Sequence, residues 1–233
     1  NASFLASSRT IEIADDLKPE VAWNYGVNLT HCFKLFGREG TFNADAYRTE
    51  FENKIVVDIE VPGELSFSNL KGSSYSNSMQ FDMVYELFDR FDVKIAYKIN
   101  DVRTTFGGIE KIAPLSPNNR GLFNISYATN FDKWVFDVTA NYFGESRVPL
   151  HKDETQILIA EDFSDPFYLF NAQVTKKFRK FDVYLGGENL LIEMQENPII
   201  DSENPNSDVF DASLIYAPVM GRSIYLGLRY KIK

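Results

Sequence analysis

The residues with the most chemistry in them lie between Leu191 and Ser213. Glu193, Glu196, Asp201, Glu203, Asp208 and Asp211 fall in that stretch with no Lys or Arg among them. Oxygen donors in such numbers can hold Ca²⁺, but their spacing fits no EF-hand loop, and a solvated acidic loop is the plainer reading. Lys152-Asp-Glu154 and Glu161-Asp-Phe-Ser-Asp165 pose the same alternative. The one cysteine, Cys32, excludes an internal disulfide and a Cys-based zinc site. The two histidines, His31 and His151, stand far apart in the chain. Gly107-Gly108 and Gly186-Gly187 lack the strand–loop–helix setting of a phosphate cradle. With no nucleophile–base set and no catalytic carboxylate pair, the chain reads as a non-enzyme without cofactor or metal. A second polar set, Asp137, Asp182, Glu188, Arg229 and Lys231, is interleaved with apolar residues. It can line a ligand path, or make cross-strand pairs that hold a wall or contact a neighbouring domain.

What positions these residues is a series of strands. From Ser223 to the end the pattern alternates: Ile224, Leu226, Leu228, Tyr230 and Ile232 on one face, Ser223, Tyr225, Gly227, Arg229 and Lys231 on the other. Period two is the signature of a β-strand. The same alternation predicts strands at residues 21–35, 41–58, 74–87, 91–100, 121–129, 134–142, 168–177 and 181–188. The second of these is the least regular, and a bulge is expected near residues 48–53. Residues 1–20 read as loop. Nothing is convincingly helical, and no apolar run approaches the roughly 18 residues of a transmembrane helix.

Composition narrows the class. Among 233 residues, 24 Lys and Arg face 33 Asp and Glu, for a net charge of −9. That balance argues against nucleic acid as a partner. Aromatics make up 15%, with 20 Phe and 12 Tyr. A mean hydropathy of −0.24 does not exclude a membrane barrel, because half of each spanning strand faces a polar lumen.

Connections between the nine strands alternate strictly in length. Short ones lie near residues 37–40, 88–91, 130–133 and 178–181, and long ones near 59–73, 107–120, 144–166 and 191–220. An up-and-down outer-membrane barrel has short periplasmic turns and long external loops, whereas Greek-key crossings of a sandwich mix the two. Parity then places the C-terminus in the periplasm, with residues 1–20 and the long loops outside the cell. Bacterial single-chain barrels normally have an even strand count. Nine strands, an external start and a first residue Asn1 rather than Met therefore suggest the C-terminal part of a larger barrel, with the signal peptide elsewhere. Trp23, Tyr25, Trp134, Tyr142, Tyr168 and Tyr230 fall near strand ends, where interfacial aromatic girdles occur. The β-propensity of aromatics accounts for such positions as well.

Specific motifs carry a family resemblance. Leu17-Lys-Pro-Glu20 with Trp23-Asn-Tyr-Gly26, and Asp45-Ala-Tyr-Arg-Thr-Glu-Phe51 with Ile55-Val-Val-Asp58, resemble strands of TonB-dependent outer-membrane receptors, especially those of the Bacteroidetes. Gly186-Gly-Glu-Asn-Leu190 followed by Gln195-Glu-Asn-Pro-Ile-Ile200 resembles the family's penultimate strand and loop. Phe210-Asp-Ala-Ser213, Ala217-Pro-Val-Met-Gly-Arg222 and Tyr225-Leu-Gly-Leu-Arg229 resemble its terminal region. The likeness covers essentially all 233 residues; each motif is weak alone and strong in this order and spacing. It implies an all-β, antiparallel, up-and-down transmembrane barrel of 22 strands, of which residues 1–233 supply about nine, without the N-terminal plug. It also implies uptake of a scarce, bulky ligand, a siderophore, cobalamin or glycan, driven through the missing plug by the inner-membrane TonB complex. Its implied partners are outer-membrane lipid, that complex, the unknown small-molecule or glycan ligand and the barrel-assembly machinery. For the last, the sequence departs from the common aromatic ending, closing on Ile232-Lys233, and Tyr230 is the nearest residue able to take that role. A passive porin or adhesin-type barrel and a soluble β-rich binding protein are the alternatives.

Overall fold

The computed structural model describes residues 7–153 and 155–232, so residues 1–6 of the opening segment, Glu154 of the Lys152-Asp-Glu154 run and Lys233 lie outside the described residues. The described chain opens with β1 (Thr10–Ile13), followed by two long strands, β2 (Val21–Leu35) and β3 (Arg38–Asn53). Two shorter ones, β4 (Ile55–Asp58) and β5 (Glu64–Asn69), lead to β6 (Ser74–Phe88) and β7 (Phe91–Phe106). After the short β8 (Ile109–Ile112) come β9 (Asn119–Ala128) and β10 (Trp134–Phe143). The two-residue strands β11 (Arg147–Val148), β12 (His151–Lys152), β13 (Leu158–Ile159) and β14 (Asp162–Phe163) precede β15 (Phe167–Lys177). The series ends with β16 (Phe181–Glu188) and β17 (Ser223–Tyr230).

The nine expected strands form one antiparallel wall in the order β17-β16-β15-β10-β9-β7-β6-β3-β2, with β8 attached to β7. Set the short strands aside and each neighbour in space is a neighbour in sequence, which is up-and-down topology. The path is open, with β2 and β17 at its two edges. Short turns sit at one end. Phe36 and Gly37 both have positive φ (49° and 81°), the geometry of the two-residue turns that match strand twist. A 3-10 turn (Asn130–Asp132) is the one helical element among the described residues.

Burial is inverted relative to a water-soluble sheet. On one face of β2, Trp23, Val27 and Leu29 are 57%, 71% and 60% exposed, and on β17 Leu226 is 74% exposed. The buried apolar cluster is Ile59, Leu65 and Leu214, all in the long connections. A continuous apolar surface across nine strands far exceeds the patches soluble monomers expose. Along β7 this face is apolar from Phe91 to Ile99, then turns polar at Asp101 and Arg103. Its neighbours change at the same level, β6 at Asn77 and β3 at Arg48 and Glu50. A polar row runs across them: Arg48 donates to Asn77 (2.9 Å) and Glu50 (2.7 Å), and Arg103 to Asp101 (3.0 Å). The apolar stretch is roughly 26 Å of strand at ~3.3 Å per residue, or about 20 Å once tilted, close to the band of an outer-membrane barrel.

The structure corrects several boundaries. The irregular second strand breaks at Lys54, so residues 55–58 leave the wall for a three-stranded sheet ordered β1-β5-β4. The bulge falls within its expected range: Val21 pairs with Asn53 and Ala22 with Phe51, leaving Glu52 extra. Residues 10–13 and 64–69, read as loop, are strands in this small sheet, and β7 continues to Phe106 rather than residue 100.

Candidate functional site

The four long connections do not splay; they fold together into a cap. Ile59 and Leu65 come from residues 59–73, Leu115 from 107–120, and Ile200 and Leu214 from 191–220, and all pack in one cluster. The arm at residues 144–166 is a two-step hairpin, β11 pairing β14 and β12 pairing β13. It joins the cluster where Leu115 N–H donates to the carbonyl of Arg147 (2.8 Å).

An ionic knot fastens these loops. Arg147, with its side chain 2% exposed, donates to both oxygens of Glu60. It also meets Glu161 at 3.1 Å, and Lys111 bridges Glu60 and Glu161 at 2.8 Å each. Burial pushes the Glu60 carboxyl up, but hydrogen bonds from Arg147 and Lys111 outweigh it and hold the group below the usual carboxylate range. Hydrogen bonds to Glu161 and Glu60 raise the Lys111 ammonium above its ordinary value. A second clasp joins the start of the chain to the last loop: Arg9 meets Asp211 at 2.7 Å, and also donates to the Glu64 carbonyl (2.9 Å). Asp211, counted above with the acidic run, is thus a cation's partner. Asn189 organises the same loop, donating to the carbonyls of Glu193 (2.7 Å) and Met220 (3.1 Å) while accepting from Glu193 N–H.

The cap leans over the polar face of the wall. Ser74, Thr104, Phe106 and Phe167, which alternation places on that face, are buried at the long-loop end. Lys54 reaches Thr104 (3.3 Å), and the Arg147 guanidinium lies 5.9 Å from the Phe106 ring. Within the cap, a cleft of about 530 Å³ separates the 144–166 arm from the last loop, lined by Val148, His151, Phe163, Glu196 and Tyr216 among others. Burial, with Asp165 and Glu196 nearby, pushes the Tyr216 phenol up, so it stays a neutral hydroxyl.

The polar set named from sequence is partly brought together. Asp182 pairs with Lys231 (2.8 Å) and stands opposite Arg229. Asp137 lies opposite Gln173 and Ser126, and Glu188 faces Ser223 at the other end of its hairpin. The six aromatics all lie on the apolar face, in two groups. Trp23, Tyr25, Tyr142 and Tyr168 are toward the long loops; the rings of Tyr142 and Tyr168 are 5.1 Å apart. Trp134 and Tyr230 are at the short-turn end, where the Lys176 ammonium sits 4.7 Å above the Trp134 ring. Glu60, Lys111 and Arg147 were not legible as a site, because Arg147 and Glu60 are 87 residues apart and no local spacing links them.

A one-layer antiparallel wall with an apolar outer band, a polar inner face and a folded cap on one end defines an outer-membrane β-barrel wall. The chain belongs to the TonB-dependent receptor-like β-barrel family, whose model matches residues 3–190. Barrels of this family sit in the bacterial outer membrane and serve receptors and transporters, not enzymes. The comparison with curated proteins finds no match. Among solved structures, the copper transporter OprC is similar over 99% of this chain and 35% of its own, at 12% identity and TM-score 0.67. The pyoverdine outer-membrane receptor FpvA from Pseudomonas aeruginosa PAO1 matches over 93% and 30%, at 13% and 0.61. The FrpB iron transporter from Neisseria meningitidis matches over 95% and 32%, at 13% and 0.59. At these identities the likeness is one of fold, and the chain spans about a third of each.

Proposed function

We propose that this chain is part of the wall and external cap of an importer that captures a bulky, scarce ligand and passes it inward using inner-membrane energy. The observation that carries the reading is the cap. Long loops held by a buried ionic knot and leaning over the polar face make a preformed receptor surface, which costs less to order on binding than flexible loops do. In this reading the loops are extracellular and the short turns and Tyr230 periplasmic. The two groups of aromatics lie at the two membrane interfaces and contact lipid there. Asp182, Arg229 and Lys231 line the lumen near its inner end, where a plug would dock, while Asp137 and Glu188 border the path at other levels. The plug would contact the TonB complex, and the barrel-assembly machinery would meet the last strand. Iron, pyoverdine and copper in the names of the similar structures favour a metal or its chelate over cobalamin or a glycan.

The test is uptake of ⁵⁵Fe-labelled chelates by cells expressing the full-length protein, with and without a working TonB complex. Accumulation that disappears without TonB supports the proposal. Accumulation that persists identifies a passive porin.

A further inference from the structure

Lys94 and Lys98 of β7 and Arg120 of β9 share one hollow on the polar face of the wall. Lys98 and Arg120 are direct cross-strand partners, and like charges placed opposite one another destabilise a sheet. The side chains of Lys94, Lys98 and Arg120 make no ion pair or hydrogen bond among the described residues; the Arg120 guanidinium lies over the Phe143 ring at 5.4 Å. Two other cations on this face have carboxylates, Lys231 meeting Asp182 at 2.8 Å and Lys177 meeting Asp132 at 3.9 Å, while Lys34 and Arg229 stand singly. Among the described residues, only at Lys94, Lys98 and Arg120 do three cations without a carboxylate partner share one hollow. All three unpaired cations line a hollow of about 340 Å³ with Ala96, Leu122 and Phe143. The carboxylate in its lining, Asp82, accepts from Asn43 (2.8 Å) and makes no ion pair among the described residues. The hollow thus carries a local excess of positive charge in a chain of net charge −9.

We infer that this hollow is a binding site for a small anionic ligand, carried by a carboxylate, phosphate or similar oxyanion. Lys98 and Arg120 clamp the oxyanion by charge-assisted hydrogen bonds. Lys94 screens it from below, and the Phe143 ring and Ala96 give it an apolar, planar floor. The hollow sits between the cap and the short-turn end, on the route the proposed function requires, and the inference deepens that reading by fixing the charge of what travels there.

The test uses crystals of the full-length protein soaked in selenate, a tetrahedral oxyanion visible by its anomalous scattering. The expected result is a selenium peak within hydrogen-bond reach of Lys98 and Arg120. In K98Q/R120Q apparent affinity should fall about tenfold or more, and in the charge-preserving K98R/R120K the peak should return. An empty hollow in the wild-type protein overturns the inference. So does a carboxylate from another segment of the same protein seated between the three cations. If selenate binds but no chelate enters cells, the uptake reading fails and the anion site stands. If TonB-dependent uptake is found and the hollow stays empty, the reverse holds.

Discussion

Arg147 is the residue on which the cap depends most. Its guanidinium is nearly sealed from water and meets carboxylates from two separate loops. Arg147→Ala strands Glu60 beside a single remaining ammonium, and removing one partner of a buried pair costs about 3–5 kcal/mol. The expected outcome is faster amide exchange across residues 144–166 and 54–73, with wall strands unchanged; exchange confined to residue 147 itself argues against the knot. The pH dependence follows from Glu60. Its folded pKa lies below the unfolded value of 4.5, so its contribution is present above pH 4.5 and is lost as pH falls through the lower folded value. Lys111 is raised above 10.5, so its contribution holds below that pH and fades as pH climbs through the higher folded value. Limited proteolysis of the loops should therefore be slow between these limits and accelerate in strong acid. Equal cleavage at neutral and strongly acid pH counts against the assignment. These partners were invisible in the sequence because neither knot nor clasp is local: Arg9 and Asp211 are 202 residues apart.

At the scale of elements, the wall is held by register. Three glycines on the polar face lie under the ring of their direct cross-strand partner: Gly26 under Tyr47, Gly186 under Tyr225 and Gly227 under Tyr184. A Cβ at Gly227 would overlap the Tyr184 ring. Gly227→Ala should displace that ring at a cost of about 1–3 kcal/mol and lower the temperature at which the folded full-length barrel loses its heat-modifiable gel mobility. G227A/Y184A, in which the overlap is gone, should lose less than the two single effects added together. On the other face, Leu226 stands 74% exposed among Ile224 and Leu228. Leu226→Arg places a charge in the apolar band, where it costs about 2–4 kcal/mol at mid-depth, whereas Gly227→Arg would test only the crowding on the polar side. A Leu226→Arg barrel that assembles in membranes as well as wild type speaks against lipid on that face. Which ring covers each glycine came only with the strand pairing, because a cross-strand partner is fixed by register and not by the residues next to the glycine.

At the scale of the molecule, loop parity gives an orientation that can be checked directly. In a Cys32→Ser background of the full-length protein, Ser202→Cys in the last long loop should react with a membrane-impermeant maleimide in intact cells. Asp89→Cys, in the turn between β6 and β7, should react only after the outer membrane is opened. The opposite pattern inverts the proposed topology, and labelling of both in intact cells removes the membrane boundary altogether.

The sequence by itself determined the strand class, the number of wall strands, the alternation of short turns and long loops, and the two faces. All of these are local: a period of two and the turn residues between the periods are written in consecutive residues. The family was legible in the same way, as ordered motifs along the chain. The tertiary structure alone decided that the long loops are a folded cap and not solvated tethers. Ile59, Leu65 and Leu214 meet across more than 150 residues of chain, and Glu60 finds Arg147 and Lys111 through that folding. It also decided which charges are paired. Asp182 took Lys231, Asp211 took Arg9, and Lys98 and Arg120 were left facing each other. Pairing between distant charges depends on register and on the path of loops, and neither is encoded in the spacing of the residues themselves.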